Sequence, residues 1–261
     1  MTLTLTPLQG IPLIQPGDNL PEVILQALCR AGISLVEGDI LVLAQKIVSK
    51  AEGRVVDLSM VIPSPLALDL ASRTEKDPRL VEVILHESRE ILRTRPSTII
   101  VEHRLGFVCA SAGIDHSNVG TLNLVGDCGA KEEETVLLLP EDPDSSAQEL
   151  RQRLEAISGV HLGVLIIDSH GRAWRLGTVG VAIGLSGMPG LVDLRGQPDL
   201  FGYSLRITQV GAADELAAAA SLVMGQAAEG TPVVHVRGFP YPLREASFKE
   251  LVRPKEQDLF R

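Results

Sequence analysis

A continuous run of apolar residues, Gly163–Ile167, constrains the fold of this 261-residue chain more than any other feature. An apolar run of this length indicates a strand that is buried on both faces. Further strands are predicted at residues 39–44, 97–101, 107–110, 205–210 and 232–236. A fold with several buried strands is therefore expected.

Four other segments carry the signals of helices. The first covers residues 20–31, with Asp18 or Asn19 as its cap and Gly32 as its stop. The others are a segment that starts at Pro78 and places Leu80, Val83, Ile84 and Ile91 at helical spacing, one that follows a capping box at residues 146–149, and an apolar one at residues 214–224. Helices and strands alternate, which indicates a mixed α and β class.

No repeat, low-complexity tract or linker divides the chain. Its length and its 45% hydrophobic content suit one large domain or two modest ones that share an interface. Without a linker, any second lobe must be intertwined with the first. We expect one domain over residues 1–261, with an α+β fold of two intertwined lobes around mixed sheets.

The charge balance argues against nucleic-acid binding. The chain has 24 Lys and Arg against 33 Asp and Glu, a net charge of −9, and only five Phe, two Tyr and one Trp for stacking on bases. No basic residue precedes Arg30, and no uncharged stretch is suited to span a bilayer, so we expect a cytoplasmic protein without membrane contact. Cys29, Cys109 and Cys128 form no CxxC pair, which argues against a zinc ribbon or a disulfide framework.

Two aspartates follow predicted strands. Asp168 comes directly after the apolar run and precedes Ser169, and Asp115 lies in a polar, glycine-marked segment. Carboxylate and hydroxyl oxygens at the end of a strand suit a hard cation such as Mg²⁺. Capping of a turn is the alternative for each aspartate, and it stays open here. The two together favour a metal site more than either does alone.

Residues 48–54 are interpreted as a short turn after a strand, and they carry Lys50 and Arg54, with Lys46 nearby. These cations could neutralise a phosphate, although a solvated surface turn is the commoner role of such a segment. Neither GxxxxGK[ST] nor GxGxxG occurs, so a nucleotide would be bound in another way. The glycine-rich stretch 177–187 suits either close approach to a ligand or tight strand packing.

Taken in order, six segments resemble one family, the coenzyme F420-0:L-glutamate ligases, also called gamma-glutamyl ligases. The segments are GIPLI at 10–14, QKIVSKAEGR at 45–54, and residues 112–119, 168–172, 177–187 and 224–238. Their order and spacing are more specific than any one motif, and they span nearly the whole chain. The segment from Gly120 to Lys131 departs from the resemblance, since it looks like an insertion beside the Asp115 segment.

The resemblance implies an enzyme that attaches L-glutamate through a γ-linkage to the deazaflavin precursor F420-0. It implies GTP as co-substrate, two divalent cations (Mg²⁺ or Mn²⁺), K⁺ as a stimulating ion, and a homodimer. GTP would phosphorylate the terminal carboxylate of the substrate, and the glutamate amine would attack the acyl phosphate. No residue is an obvious general base, so the sequence names no catalytic residue.

The same resemblance implies the site residues. Asp115 and Asp168 would bind the first divalent cation, and Ser169 and Gln226 the second. Ser169 stands where threonine is frequent, and Gln226 stands where some members have glutamate, whose charge would bind a cation more strongly. The residues expected around GTP are Ile11, Pro12, Leu13, Ile14, Gln45, Lys46, Lys50, Asn118, Met224, Gly225, Gln226, Ala227, Ala228, Glu229, Gly230 and Thr231.

Two other functions stay open at this point. A ligase that adds glutamate to a folate-like acceptor would use the same nucleotide and metals and would differ only in its acceptor pocket. A noncatalytic regulator would bind nucleotide or metal without hydrolysing the nucleotide. Addition of glutamate to F420-0 would distinguish all three.

Overall fold

The computed structural model describes residues 2–119 and 134–259. The α-helices are α1 (Leu20–Arg30), α2 (Gln45–Ala51), α3 (Pro65–Thr74), α4 (Pro78–His86), α5 (Pro143–Ser158) and α6 (Ala212–Met224). The strands are β1 (Thr4–Pro7), β2 (Ile40–Ala44), β3 (Val55–Asp57), β4 (Ser88–Arg95), β5 (Thr98–His103), β6 (Val108–Ala110), β7 (Thr135–Leu137), β8 (Gly163–Arg172), β9 (Arg175–Ser186), β10 (Val192–Asp193), β11 (Gln209–Val210) and β12 (Val233–Arg237). The predicted insertion at residues 120–131 lies outside the described residues.

A five-stranded mixed sheet of order β1-β12-β2-β8-β9 forms the centre of the molecule. β2 and β8 run parallel, with Ile40 opposite Gly163 and Ala44 opposite Ile167, whereas the other neighbouring strands are antiparallel. Residues 163–167 are all buried, which confirms the strand predicted from the apolar run. The fold is α+β.

Hydrophobic clusters lie on both faces of this sheet. On one face, α1 and α5 pack in a cluster that includes Leu41 and Ile166. On the other face, α6 packs in a cluster that includes Val42 and Leu165. Because neighbouring strand residues point to opposite faces, a sheet covered on both sides needs strands that are apolar at every position.

All of the glycine-rich stretch except Gly187 belongs to β9, and it packs against helices. A Cβ on Gly180 would lie 2.5 Å from the carbonyl oxygen of Ala217 in α6, and a Cβ on Gly184 would lie 2.4 Å from Cβ of Pro143 in α5. Both distances are too short for a real side chain. Tight packing therefore explains these two glycines.

A second group of elements contains α3, α4 and the three-stranded sheet β4-β5-β6, with a hydrophobic cluster of its own. The predicted helix at Pro78 is confirmed, and Leu80, Val83 and Ile84 are buried on its inner face. The assignment of Ile91 to this helix is wrong. The helix ends at His86, and Ile91 pairs with Val101 on β5 because a strand ladder continues the chain there.

Two other predicted boundaries are wrong. The helix α5 begins at Pro143 with Asp142 as its cap, whose carboxylate accepts from the amide of Ser145, so the capping box at residues 146–149 lies inside the first turns. The strand predicted at residues 205–210 is reduced to Gln209–Val210, because its partner β10 offers only two residues for pairing. Among the described residues, no helix combines the length and apolarity needed to cross a membrane.

Candidate functional site

The segment that carries Lys46 and Lys50 is a helix and not the predicted turn. α2 begins at Gln45, directly after β2, and its N-terminal neighbour Ala44 provides no side-chain cap. Burial of Ile47 and Val48 in the core stabilises the helix in place of a cap. The two lysines are four residues apart, so they lie on the same face of α2.

Asp115 lies against the start of α2. Its Oδ1 is 3.2 Å from Nζ of Lys46, and its Oδ2 accepts a hydrogen bond of 2.8 Å from Nε2 of Gln45. The buried hydroxyl of Ser49 donates to Oε1 of Gln45 at 2.8 Å and thereby fixes which way the amide points. The main chain of Asp115 pairs with Leu137, which holds the aspartate in place. The carboxylate is therefore positioned by two elements that are distant in sequence.

Asp168 does not follow the strand, as predicted, but lies within it. β8 runs on to Arg172 because β9 keeps pairing with it, with Asp168 opposite Val181, after the partner β2 has ended at Ala44. The Oδ2 of Asp168 is 3.0 Å from Nε2 of His170. A hydrogen bond from the imidazole orients the carboxylate, as such bonds do for metal ligands.

The charge of Asp168 acts on two neighbouring groups, Asp115 and Cys109. Burial raises the pKa of the Asp115 carboxyl above its usual range, the nearby Lys46 lowers it, and the negative charge of Asp168 raises it. Burial, and to a smaller extent the charge of Asp168, raises the pKa of the Cys109 thiol to about 12. A carboxylate whose charge is disfavoured by burial and by a second carboxylate marks a place where a cation would be stabilised.

Ser169 and Gln226 meet on the opposite face of β8, since neighbouring strand residues alternate. Oγ of Ser169 donates to Oε1 of Gln226 at 2.8 Å, and Nε2 of Gln226 donates to Oγ of Ser221 in α6 at 2.8 Å. Of the predicted metal ligands, the structure thus brings Ser169 and Gln226 into contact, and it places Asp115 within electrostatic range of Asp168. Within residues 2–119 and 134–259, it gathers no cluster of three or more His, Cys, Asp or Glu placed to hold a metal.

The two lysines of α2 hold the segment after Asp115. Nζ of Lys46 donates to the carbonyl and hydroxyl oxygens of Ser117 at 3.0 and 3.1 Å, and Nζ of Lys50 donates to the carbonyl of Asn118 at 2.6 Å. Partial burial, with the charge of Lys46, lowers the pKa of Lys50. Nδ2 of Asn118 in turn donates to the carbonyl of Ala227 at 3.2 Å, which joins α2 to the 224–231 loop.

The 224–231 loop is compact. Gly225 has a positive φ of 76°, and a Cβ there would lie 2.2 Å from the Glu229 side chain, so the position requires glycine. The Glu229 carboxylate accepts from the amide of Ala227 at 2.8 Å, and the buried hydroxyl of Thr231 donates to the carbonyl of Met224 at 2.9 Å. The loop is thus held by its own side chains and leaves Ala228 and Gly230 exposed.

The segment 11–14 shares a hydrophobic cluster with α2, and the chain that follows it reaches the C-terminal end of this helix. Ile14 is buried in the core and Leu13 is 87% exposed, and the amide of Gly17 donates to the carbonyl of Ala51 at the end of α2.

The guanidinium of Arg54 is already paired within the protein. It binds Glu87, Glu141 and the carbonyl of Leu139, so the possible phosphate role of Arg54 is not supported by its contacts.

The sequence alone did not identify two side chains that orient candidate site residues. His170 orients Asp168, and the available signal was its position two residues further on the same strand face. Ser49 orients Gln45, and the available signal was their i, i+4 spacing, which became readable only once the segment was known to be helical.

Comparisons with known proteins bear on the whole chain. The family model for F420-0:Gamma-glutamyl ligase matches residues 10–238. The coenzyme F420:L-glutamate ligase of Methanothermobacter thermautotrophicus is 48% identical over 263 residues, which cover 100% of both chains. The protein of the same name from Methanopyrus kandleri is 47% identical over 100% of this chain and 98% of its own length, and that from Methanocaldococcus jannaschii is 43% identical over 96% and 94%.

The matched range, residues 10–238, contains the segment 11–14, α2, Asp115, the β8–β9 hairpin and the 224–231 loop. Because the family model covers most of the chain and the relatives align over nearly their full length, this chain belongs to the F420-0:gamma-glutamyl ligase family.

Proposed function

We propose that this protein is a ligase that joins L-glutamate through a γ-linkage to F420-0 in coenzyme F420 biosynthesis, with GTP as the energy source. The observation that carries the proposal is the placement of Lys46 and Lys50 on one face of α2, beside the interacting carboxylates of Asp115 and Asp168. Ammonium groups bind phosphates, and carboxylates bind divalent cations. Phosphoryl transfer needs both.

The donor atoms around Asp115 and Asp168 fit Mg²⁺ or Mn²⁺. Both ions prefer oxygen ligands, and a cation between the two carboxylates would relieve the repulsion that helps to raise the pKa of Asp115. Ser169 and Gln226 offer a hydroxyl and an amide oxygen for a second cation, in exchange for their present hydrogen bond. When bound, the cations would offset the charge of the phosphates and of the approaching carboxylate. A stimulating role for K⁺ is included because the family resemblance implies it.

GTP would lie along the face of α2 that carries the lysines. Lys46 and Lys50 would exchange their bonds with the carbonyls of Ser117 and Asn118 for phosphate oxygens. Gln45, Asn118 and the 224–231 loop border this face and would surround the nucleotide, together with the segment 11–14 that the family resemblance implies. The exposed Leu13 would pack against its apolar parts.

The reaction would proceed in two steps. The terminal carboxylate of F420-0 attacks the γ-phosphorus of GTP, so that a new O–P bond forms and GDP leaves. The glutamate nitrogen, after losing one proton from its ammonium group, attacks the acyl carbon, and phosphate leaves with the electrons of the C–O bond. The nitrogen loses a second proton to water or phosphate. The enzyme contributes positioning and electrostatic stabilisation, without a covalent intermediate of its own.

The proposed partners are F420-0, L-glutamate and GTP, and the proposed assembly is a cytoplasmic homodimer. The test is mass spectrometry of F420-0 after incubation with the protein, GTP, L-glutamate and Mn²⁺. A mass gain by whole glutamate units is expected. A mass gain with a folate-like acceptor but none with F420-0 would show that the acceptor is folate-like. GTP binding without product from either acceptor would indicate a noncatalytic regulator.

A further inference from the structure

A cavity of about 240 Å³ lies beside the end of β8 that carries Asp168, and we propose that it binds the amino-acid substrate, L-glutamate. The cavity lies between β9, the loop before β6 and the C-terminal segment around Phe248 and Arg253. The assignment rests on the proposed ligase function, because it concerns the second substrate of that reaction.

The cavity adjoins the proposed metal site through one side chain. His170 lines the cavity, and its Nε2 is 3.0 Å from Oδ2 of Asp168. A ligand in the cavity therefore lies one side chain away from the carboxylate beside which the acyl phosphate would form. The substrate whose amine must reach that acyl phosphate fits this position.

Three charged side chains line the cavity, namely Arg253, Asp214 and Asp258, and the first two have groups open to a ligand. In residues 2–119 and 134–259, the guanidinium of Arg253 has no hydrogen-bond or ion-pair partner. Oδ1 of Asp214 accepts the amide of Ala182 at 2.9 Å, and no donor in the described part of the chain pairs with its Oδ2. L-glutamate presents an ammonium group and two carboxylates. Asp214 would bind the ammonium group, and Arg253 would bind a carboxylate through two parallel hydrogen bonds.

The size of the cavity and its aromatic wall argue against the deazaflavin acceptor as its occupant. Pockets for drug-sized ligands usually have roughly 300–1,000 Å³, so this cavity suits a smaller molecule. The ring of Phe107 is also already in contact with three other rings. It stacks on His103 at 5.2 Å between ring centroids, and it contacts His170 and Phe248 at 5.4 and 5.5 Å.

The test compares Arg253→Ala with Arg253→Lys and with a matched control, Arg95→Ala, which removes an exposed arginine from the distant β4–β5 hairpin. Initial rates are measured while glutamate, GTP and F420-0 are varied in turn. Calorimetry measures direct binding of L-glutamate to protein saturated with Mg²⁺ and a non-hydrolysable GTP analogue. This second readout does not depend on turnover.

Arg253→Ala should raise both the KM and the Kd for glutamate about 10- to 100-fold, because a charge-assisted hydrogen bond is lost. The KM values for GTP and F420-0 should change by less than about twofold, given that no other substrate contacts Arg253. Arg253→Lys should recover part of the glutamate affinity, and Arg95→Ala should behave as wild type. Asp214→Asn, which keeps an acceptor for Ala182, should also raise the KM for glutamate.

An unchanged Kd and KM for glutamate in Arg253→Ala, or a rise confined to the KM for F420-0, would overturn the assignment. The same holds if the wild-type protein binds no L-glutamate in the calorimeter. If instead the wild-type protein binds L-glutamate but adds none to F420-0, the proposed function is wrong. Loss of that binding in Arg253→Ala would then still support the cavity as an amino-acid site.

Discussion

Two largely buried carboxylates of this protein, Asp115 and Glu87, both lie beside basic side chains, yet their pKa values shift in opposite directions. Burial and the charge of Asp168 hold the pKa of Asp115 above its usual range in spite of Lys46. Burial acts in the same direction on Glu87, but the N–H of His103 and the guanidinium groups of Arg104 and Arg54 lower its pKa to about 2.

The difference lies in the partners that each carboxylate has within the protein. Glu87 binds Nη2 of Arg54 at 3.0 Å and Nε of Arg104 at 2.9 Å, so its charge is matched and the cluster joins the turn after α2 to the second group of elements. Asp115 forms an ion pair with one lysine, Lys46, which also donates a hydrogen bond to Ser117. The carboxylate of Asp168 lies close enough to Asp115 to disfavour its charge. A matched cluster stabilises the fold, whereas an unmatched one favours binding of a further cation.

Among the variants that test this difference between the two carboxylates, Asp168→Asn should have the largest effect, and this effect is on the ligation rate. Loss of one charged metal ligand should lower the ligation rate by about 1,000-fold or more, with a thermal midpoint within a few degrees of wild type. Rates and thermal unfolding of the same preparation provide the measurement. Asp115→Asn should behave alike, and the double variant should be no slower than the slower single variant. Normal turnover of Asp168→Asn with an intact metal requirement would contradict the assigned role.

Lys50→Ala should raise the KM for GTP about 10- to 100-fold and leave that for glutamate nearly unchanged. The reason is the loss of a phosphate ligand on the face of α2. Titration of each substrate at saturating levels of the others is the measurement, and Lys50→Arg, which keeps the charge, is the matched control. If the GTP dependence of Lys50→Ala equals that of wild type, Lys50 only holds the Asn118 segment.

Glu87→Gln should reduce the free energy of unfolding by about 2–3 kcal/mol at pH 7, because Arg54 and Arg104 lose their buried carboxylate partner and keep only the exposed Glu141. The folded pKa, about 2, lies below the value of about 4.3 in an unfolded chain, so this stabilisation is fully present above about pH 5 and is lost as the pH falls toward 2. Urea unfolding at pH 7, 5 and 3.5 would measure it.

The difference between wild type and Glu87→Gln should therefore shrink at low pH. The control is Glu149→Gln, which removes an exposed carboxylate on α5 and should cost less than about 0.5 kcal/mol at any pH. An equal difference at pH 7 and pH 3.5 would show that the charge of Glu87 does not stabilise the protein.

The smallest expected effect is that of Gln226→Glu. A carboxylate beside Ser169 adds a charged oxygen ligand, so half-maximal activation should need several-fold less Mn²⁺. Activation curves of the two proteins at fixed GTP would decide this. Curves that superimpose would leave Gln226 as a residue that only bridges Ser169 and Ser221.

Much of the fold was predictable because burial leaves a local pattern. The apolar run at 163–167 predicted an inner strand, and the spacing of Leu80, Val83 and Ile84 predicted α4. Boundaries were less predictable. Residues 48–54 resembled a turn because α2 lacks a capping side chain and Gly53 follows it, and the core contacts that stabilise the helix are not visible in a local window.

The candidate site was predictable as a set of residues but not as an arrangement. Gln45 and Asp115 are 70 residues apart, and Ser169 and Gln226 are 57 residues apart, so their contacts depend on how distant elements pack. Asp168 remained ambiguous in the sequence because its extension of β8 depends on pairing with β9.

The sequence by itself determined the α+β class, the buried strands and the family, since composition, hydrophobic period and ordered motifs are properties of the chain. Tertiary structure alone decided which charges are matched. The fold pairs Arg54 with Glu87 and Glu141. It places His170 within hydrogen-bond distance of Asp168, and it positions Arg253 at the wall of a cavity. The physical reason is that a charge interacts through space with whatever the fold places beside it, and no local pattern records those neighbours.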